Sequence, residues 1–504
     1  MNIVIVGGGT AGWLAALILS KNCPMHNITI IDSSKIDIIG AGEGSTGLLT
    51  SILNNDRCNY GCNINDFLKE TGSTPKFGIK HINWTGDGSH YYGPLDGTPT
   101  TSNLPDFLLC YQNIFKTKNL SFLGYLLDNN LSNYNFLEHK LNTLSGSFHF
   151  DARKVGKYFK KVALTGDNIL HLDSVVENII LDVNGNIKEL YLDSGNALTG
   201  DFFIDATGFS KILSNKLTTD WVDYSDYLPV NSALPFLLPY EEDNYGNFYT
   251  VARALDNGWM WQIPTVERLG CGYVFDENFI SADNAQREIE QILGKPIQPI
   301  KHIRFQSGRV KNSWNKNCLN VGLSSAFLEP LEATSIHATI VQLETFVFDF
   351  LKSTLELTNN DYSRKEYNKR INKMYDDFKD FLILHYQGGR EDTEFWKHVK
   401  YDCKKTEKVH DIIEISKYRI PTVNDFDNYF GSAGWPIWSW VLMGTGNLPI
   451  NTCRNEINRY HNGDKFTDVI ESRISSWTSF LEENCNNNYT QKEYFEILKK
   501  NYFL

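Results

Sequence analysis

The stretch "NIVIVGGGTAGWLAALILSK", residues 2–21, decides the fold. Ile3 to Val6 form a short apolar run of strand length, a glycine turn follows, and a helical pattern begins near Thr10. Gly7, Gly9 and Gly12 meet the spacing G-x-G-x-x-G. The first permits a tight turn, the second lets a pyrophosphate approach the backbone, and the third lets helix and strand pack closely. The open N–H groups of the first helical turn, at Thr10 and Ala11, then face the phosphates. A second strand, "NITIIDSS" (27–34), ends on Asp32, 20 residues beyond Gly12, where a carboxylate can hold a ribose hydroxyl. The glycines alone are a weak signal; with the strand before, the helix after and the acid at this distance they specify a dinucleotide site.

Working outward, "VVENIILDVNGNIKELYLDS" (175–194) reads as a β-hairpin turning at Asn184-Gly185. "DFFIDATGFS" (201–210) reads as a buried strand ending on Asp205, with a small-residue turn at Gly208. "CLNVGLSSAFLEPLEATSI" (318–336) reads as a strand, a loop and a second helix start. Two late strands returning to the nucleotide resemble FAD-dependent oxygenases more than NAD enzymes. "NGWMWQIPT" (257–265), if extended, places Trp259 and Trp261 on one face, with Pro264 keeping the strand at an edge or at its own end. Core packing is the plain reading of those two residues. After about residue 336 the periodicity turns helical. Tyr367, Ile371, Met374, Phe378, Phe381 and His385 recur at 3–4 spacing, as do Val469, Ile470, Ile474, Trp477 and Leu481, and Thr490 with Glu493 forms a capping box.

The totals bound the function. At 504 residues the chain holds two domains or one large nucleotide-binding body with a cap. A net charge of −12 argues against nucleic acid or an anionic membrane as partner. No apolar run approaches a membrane span, and no leader pattern precedes the first strand, so a cytoplasmic protein is expected. Nine scattered cysteines make no disulfide framework. Cys58 and Cys62 lack a second pair at ligand spacing, so no metal is expected. The fold class is therefore α/β with α+β insertions: a split Rossmann-like FAD-binding domain with an inserted mixed β-sheet over 1–340, and a mostly helical cap over 341–504.

These motifs together resemble the flavin-dependent halogenases of the tryptophan-halogenase family. "GGGTAGW" (7–13), "IGAGEGST" (39–46), "FGIKHINW" (77–84), "HFDARKVGKYF" (149–159), "GWMWQIP" (258–264), "GLSSAFLEPLEATSI" (322–336), "HYQGGREDTEFW" (385–396) and "GTGNLP" (444–449) carry the likeness along nearly the whole chain. The resemblance implies FAD, used as FADH2, and halide as co-substrate. Gly7, Gly9, Thr10, Ala11, Gly12, Asp32, Gly42, Glu43, Val175, Asp205, Gly208, Leu323 and Ile336 would hold the cofactor. Halide would be oxidised to hypohalous acid at the flavin, behind a barrier of Trp259 and Trp261. The acid would pass to Lys80, with Glu332 orienting it and taking the arene's proton, and backbone N–H groups at Thr334 and Ser335 would bind the halide. The implied partners are a separate flavin reductase and a small aromatic substrate, with a homo-oligomer as one allowed state.

The chain departs from that pattern in places. Pro330-Leu331-Glu332-Ala333-Thr334-Ser335 stands where the family reads P-L-E-S-T-G. The altered anion site leans toward bromide or iodide over chloride. "GWPIWSWVLM" (434–443), with Trp435, Trp438 and Trp440, replaces paired tyrosines, and Gly93 stands where a histidine is often found. Another electron-rich indole or a phenol is then expected in place of free tryptophan. The alternatives are an FAD-dependent aromatic monooxygenase and a non-catalytic flavin-binding redox sensor.

Overall fold

The computed structural model describes the chain apart from residues 37–42, 57, 96–104, 117–119, 136–139, 142–145, 218–219, 242–245, 352–359, 427–434, 460–465 and 504. The chain divides into two compact units, each assembled from three stretches: Met1–Ser73, Phe150–Ser225 and Gln306–Asp376 in the first, Thr74–His149, Asp226–Phe305 and Asp377–Leu504 in the second.

The first unit is built on a six-stranded sheet. Its order is Ile169–Asp173, Asn27–Asp32, Asn2–Val6, Phe202–Asp205, Cys318–Asn320 and Trp314–Asn315. Every neighbouring pair is parallel except the last. Ile3, Val4, Ile5, Phe202, Phe203 and Ile204 are all buried, as strands covered on both faces require. The helix Thr10–Asn22 is apolar all round and buried from Gly12 to Ser20, so it is a core helix rather than a surface one. The expected hairpin forms from Val176–Leu181 and Ile187–Leu192, with Gly185 at φ +78° in its turn, and gains a third strand, Ala197–Thr199. Ile179, Ile187 and Leu190 join Val4, Val6, Ile31 and Phe203 in one apolar cluster.

The second unit holds a seven-stranded mixed sheet, in the order Ile303–Arg304, Ser232–Leu238, Leu269–Phe275, Gly258–Pro264, Tyr249–Ala254, Gly78–Ile82 and His90–Pro94. Only Tyr249–Ala254 and Gly78–Ile82 pair in parallel. The tryptophan strand Gly258–Pro264 is central, and Pro264 is tolerated because it is the last residue of the strand. Helix Ala282–Leu293 covers one face through Ala285 and Ile289, packed with Phe236, Met260, Cys271 and Tyr273. The C-terminal region is helical, from Glu394–Tyr401 to Gln491–Phe503. The capping box is present: Thr490 N donates to Glu493 Oε2 at 2.9 Å, and Glu493 N donates to Thr490 Oγ1 at 3.2 Å. Among the described residues no helix is long and apolar enough to cross a membrane.

Candidate active site

In the first unit the glycine turn is built as the sequence requires. Gly7 has φ +112°, and a Cβ there would lie 2.3 Å from the Ala206 carbonyl; one on Gly12 would lie 1.9 Å from the Gly7 carbonyl. A Cβ on Gly9 would meet nothing within 4 Å. Gly9 caps the helix without a side-chain hydrogen bond and the space beside it is clear among the described residues, so the helix start is left for a ligand. That cradle fits a pyrophosphate. Asp32 lies against Gly8, and its Oδ2 is 3.2 Å from Lys160 Nζ and 3.7 Å from His171 Nε2. Lys160 also lies over the Trp13 ring, 5.1 Å from its centroid. Lys160 and His171 were not singled out by the sequence, and no local spacing signals them.

The other first-unit residues gather around this turn. A Cβ on Gly322, which has φ +61°, would lie 2.8 Å from Ala11, so the Gly322–Leu323 loop meets the nucleotide helix. Glu43 is only partly exposed; desolvation, with the Asp151 carboxylate beside it, raises its pKa to about 7. Gly42 lies outside the described residues. Val175 N donates to Asp193 Oδ1 at 2.9 Å.

Asp205 is fully buried. It accepts from Thr207 N at 3.0 Å, Thr207 Oγ1 at 2.6 Å, Leu213 N at 2.9 Å, Ser214 N at 2.9 Å and Ser324 Oγ at 3.0 Å. It therefore ties the Gly208 turn to the loop at Gly322–Ser324, and its oxygens are already engaged. Asp205→Ala is expected to cost about 3 kcal/mol or more, because several buried donors lose their acceptor together. A thermal melt of the purified chain checks this; an unchanged midpoint would contradict it.

Glu332 ends a short turn, Pro330–Glu332, and Ala333 caps the helix Thr334–Thr345 at φ +53°. A left-handed alanine costs about 1 kcal/mol, so the chain holds strain next to Glu332. Thr334 is partly exposed, Ser335 exposed and Ile336 buried. Thr46 Oγ1 lies 2.8 Å from His337 Nδ1 on the same helix.

In the second unit the strand register sorts side chains by face. His81, Ala252, Trp261 and Gly272 lie opposite one another across four strands, and Ala254, Trp259 and Val274 share their face. The Trp259 and Trp261 rings are in contact, with centroids 6.2 Å apart, and both are buried. Their indole N–H groups have no hydrogen-bond partner among the described residues. The Trp261 ring lies against Gly272, where a Cβ would fall 2.1 Å from it. His81 stacks on Tyr91 at 4.6 Å and lies 5.0 Å from His385, while Trp84 lies 6.4 Å from Trp259. Burial, followed by the charges of His385 and Lys76, holds His81 well below the usual histidine range.

Lys80 sits in register with Val251, Gln262 and Cys271, on the opposite face of this sheet from the two tryptophans. It is partly exposed and lies between Tyr92 and Tyr249, 5.5 and 5.7 Å from their centroids. Desolvation, then the Arg253 charge, lowers its pKa, and Asp128 opposes them. Four residues earlier stands a lysine that sequence reasoning passed over. Lys76 is 0 % exposed. It ends the strand Thr74–Lys76, which pairs with Ser147–His149 instead of joining the seven-stranded sheet. Its charge acts on His81 and on buried His149, whose Nε2 lies 3.0 Å from Thr250 Oγ1. His385 was read only as part of a helical spacing; its ring meets that of His81. Trp438 and Trp440 are buried among the cap helices, with Trp438 packed on Phe381 and Phe426. The side chain of Trp435 lies outside the described residues.

A dinucleotide cradle in one unit and an enclosed indole pair in the other fit a flavoenzyme. Residues 2–456 match the tryptophan halogenase family, and the chain belongs to it. It is similar to tryptophan 7-halogenase RebH of Lentzea aerocolonigenes, 30% identical over 460 residues that cover 85% of each chain. It is also similar to tryptophan 6-halogenase ThaL of Streptomyces albogriseolus, 29% identical over 89% of this chain and 90% of that one. The crystal structure of tryptophan 6-halogenase SttH of Streptomyces toxytricini aligns with a TM-score of 0.86 and 26% identity, covering 98% of this chain and 99% of the other. The protein is therefore a flavin-dependent halogenase by family, which implies FAD, halide, an aromatic substrate and a separate flavin reductase.

Proposed function

We propose that this chain halogenates an electron-rich small arene with FADH2, oxygen and a halide ion. Bound flavin supplies the oxidising chemistry that turns halide into hypohalous acid. Trp259 and Trp261 carry the reading: two touching, buried indoles on one sheet face supply what a barrier against an arene needs. The glycine turn with Thr10, Ala11 and Asp32 holds FAD, Asp205 acts by tying the Gly208 turn to the Gly322–Ser324 loop, and Thr334 and Ser335 hold the halide through backbone N–H groups.

The hypohalous acid then meets an amine. Lys80 was the expectation from the sequence, but burial and facing support Lys76 as the first choice, with Lys80 as the alternative. Desolvated amines are the ones enzymes use as nucleophiles, and Lys76 is the fully buried one whose charge reaches His81 on the tryptophan face. Glu332 orients the electrophile and takes the proton from the arene. The strained Ala333 beside it supports that role, since strain persists where position matters.

Tryptophan, on which the named relatives act, belongs in any substrate panel. The chain's own departures favour another indole or a phenol, and bromide or iodide over chloride. The test supplies FAD, NADH and a flavin reductase with equal chloride, bromide and iodide, and reads product masses across an arene panel. Halide-dependent replacement of hydrogen by halogen is expected. A halide-independent gain of one oxygen would install a monooxygenase instead, and FAD binding without any product would install a sensor. A predominantly chlorinated product would reject the halide lean alone.

A further inference from the structure

Two cysteines that no step above uses lie together in the second unit. Cys110 is on helix Pro105–Phe115 and Cys453 on helix Ile450–Arg459; the helices pack side by side and both thiols are 0 % exposed. Cys110 lies close enough to bear on the acidity of Cys453, and Asn113, one turn further along the Cys110 helix, reaches the Cys453 sulfur. Asn113 Nδ2 donates to Cys453 Sγ at 3.3 Å and to the Leu448 carbonyl at 3.1 Å, and Lys116 Nζ fixes Asn113 by donating to its Oδ1 at 3.2 Å. A buried thiol normally loses acidity, and burial pushes Cys62, Cys403 and Cys485 up to about 12. Cys453 goes the other way. The nearby Cys110 holds it below the usual thiol range against its burial, helped by Asn113 and the Lys116 charge.

We propose that Cys110 and Cys453 are a dithiol site that hypohalous acid oxidises to a disulfide, making it an internal sink for oxidant that escapes the arene. The proposal rests on the halogenase reading only for the source of that oxidant. The acid is uncharged and small, so it reaches a buried sulfur more readily than a bulky disulfide reagent does. The Cys453 thiolate displaces hydroxide from the acid's halogen, giving a sulfenyl halide; the Cys110 sulfur then displaces halide ion and releases its proton. Two electrons pass from the sulfur pair to the halogen, which leaves as halide, and the S–S bond forms. A thiol reductant reopens the bridge by exchange, becoming a disulfide itself and restoring both cysteines. The bridge would pin the helix that follows the 444–449 segment to one drawn from residues 105–115.

The test needs no flavin, so it succeeds or fails independently of halogenation. The purified FAD-free chain receives hypobromous acid at one to two equivalents, is alkylated after unfolding and is mapped by mass spectrometry. A peptide linked through residues 110 and 453 is expected, with two of the nine thiols lost, recovery on dithiothreitol and a rise of a few degrees in Tm on oxidation. Cys110→Ser and Cys453→Ser should each abolish the link and the Tm shift. Oxidation of other cysteines or methionines first, with 110 and 453 still alkylated, would overturn the proposal. So would a Tm shift that persists in Cys110→Ser.

Discussion

Lys76→Met is expected to lower halogenation by about 10³-fold or more, on the scale of losing a positioned reactive group, while FAD binding stays intact. Methionine keeps most of the side-chain volume, which matters because Lys76 is wholly enclosed and alanine would leave a cavity. Lys80→Ala removes a partly exposed cation lying between Tyr92 and Tyr249. That contact is worth about 1 kcal/mol, so a loss of about 5-fold or less is expected. The two lysines are four residues apart and separate cleanly in this experiment because they serve different sheets. Lys76 pairs with Ser147, whereas Lys80 pairs with Tyr92 and Val251. Measuring kcat and the FAD dissociation constant for both variants decides the matter. An active Lys76→Met beside an inactive Lys80→Ala would return the role to Lys80.

The sequence pointed to Lys80 because "FGIKHINW" (77–84) resembles the family's lysine segment and sets that residue between apolar positions ahead of Trp84. Nothing in "TPKFGIKHINW" (74–84) marks a break between sheets. The chain nevertheless leaves one sheet at Lys76 and enters another at Gly78. A one-residue change of sheet leaves no mark in periodicity. Local features were legible: the glycine turn, the hairpin at Gly185, the helix through His385 and the capping box at Thr490 each depend on residues within a few positions of one another. The tryptophan strand was legible as a strand with both rings on one side. Its place at the sheet's centre was not, because that depends on Tyr249–Ala254 pairing in parallel with Gly78–Ile82, about 170 residues away. The Lys160–Asp32 contact and the His81–His385 pair are long-range in the same way. Such meetings come from the interleaving of three stretches in each unit, which no single window of sequence contains.

Gly272→Ala is the sharpest test of the indole barrier, because it removes no aromatic surface. The added methyl would fall 2.1 to 2.7 Å from three atoms of the Trp261 ring, so the ring must tilt away. If the pair shields the flavin, reduced cofactor should be diverted to hydrogen peroxide, with product per FADH2 falling about 10-fold. Small-to-large strain of this kind costs about 1–3 kcal/mol, so some loss of Tm accompanies it. The control comes from the same strand. Met260 faces the opposite side, in the cluster with Cys271, Tyr273 and Ile289. Met260→Ala should cost about 2–5 kcal/mol and leave the product-to-peroxide ratio where it was. Peroxide yield and melting midpoint, measured side by side, thus separate a barrier from a core. Were Trp259 and Trp261 merely packed interior, both variants would lose stability and neither would leak, and the partition on which the proposed chemistry depends would have to be abandoned.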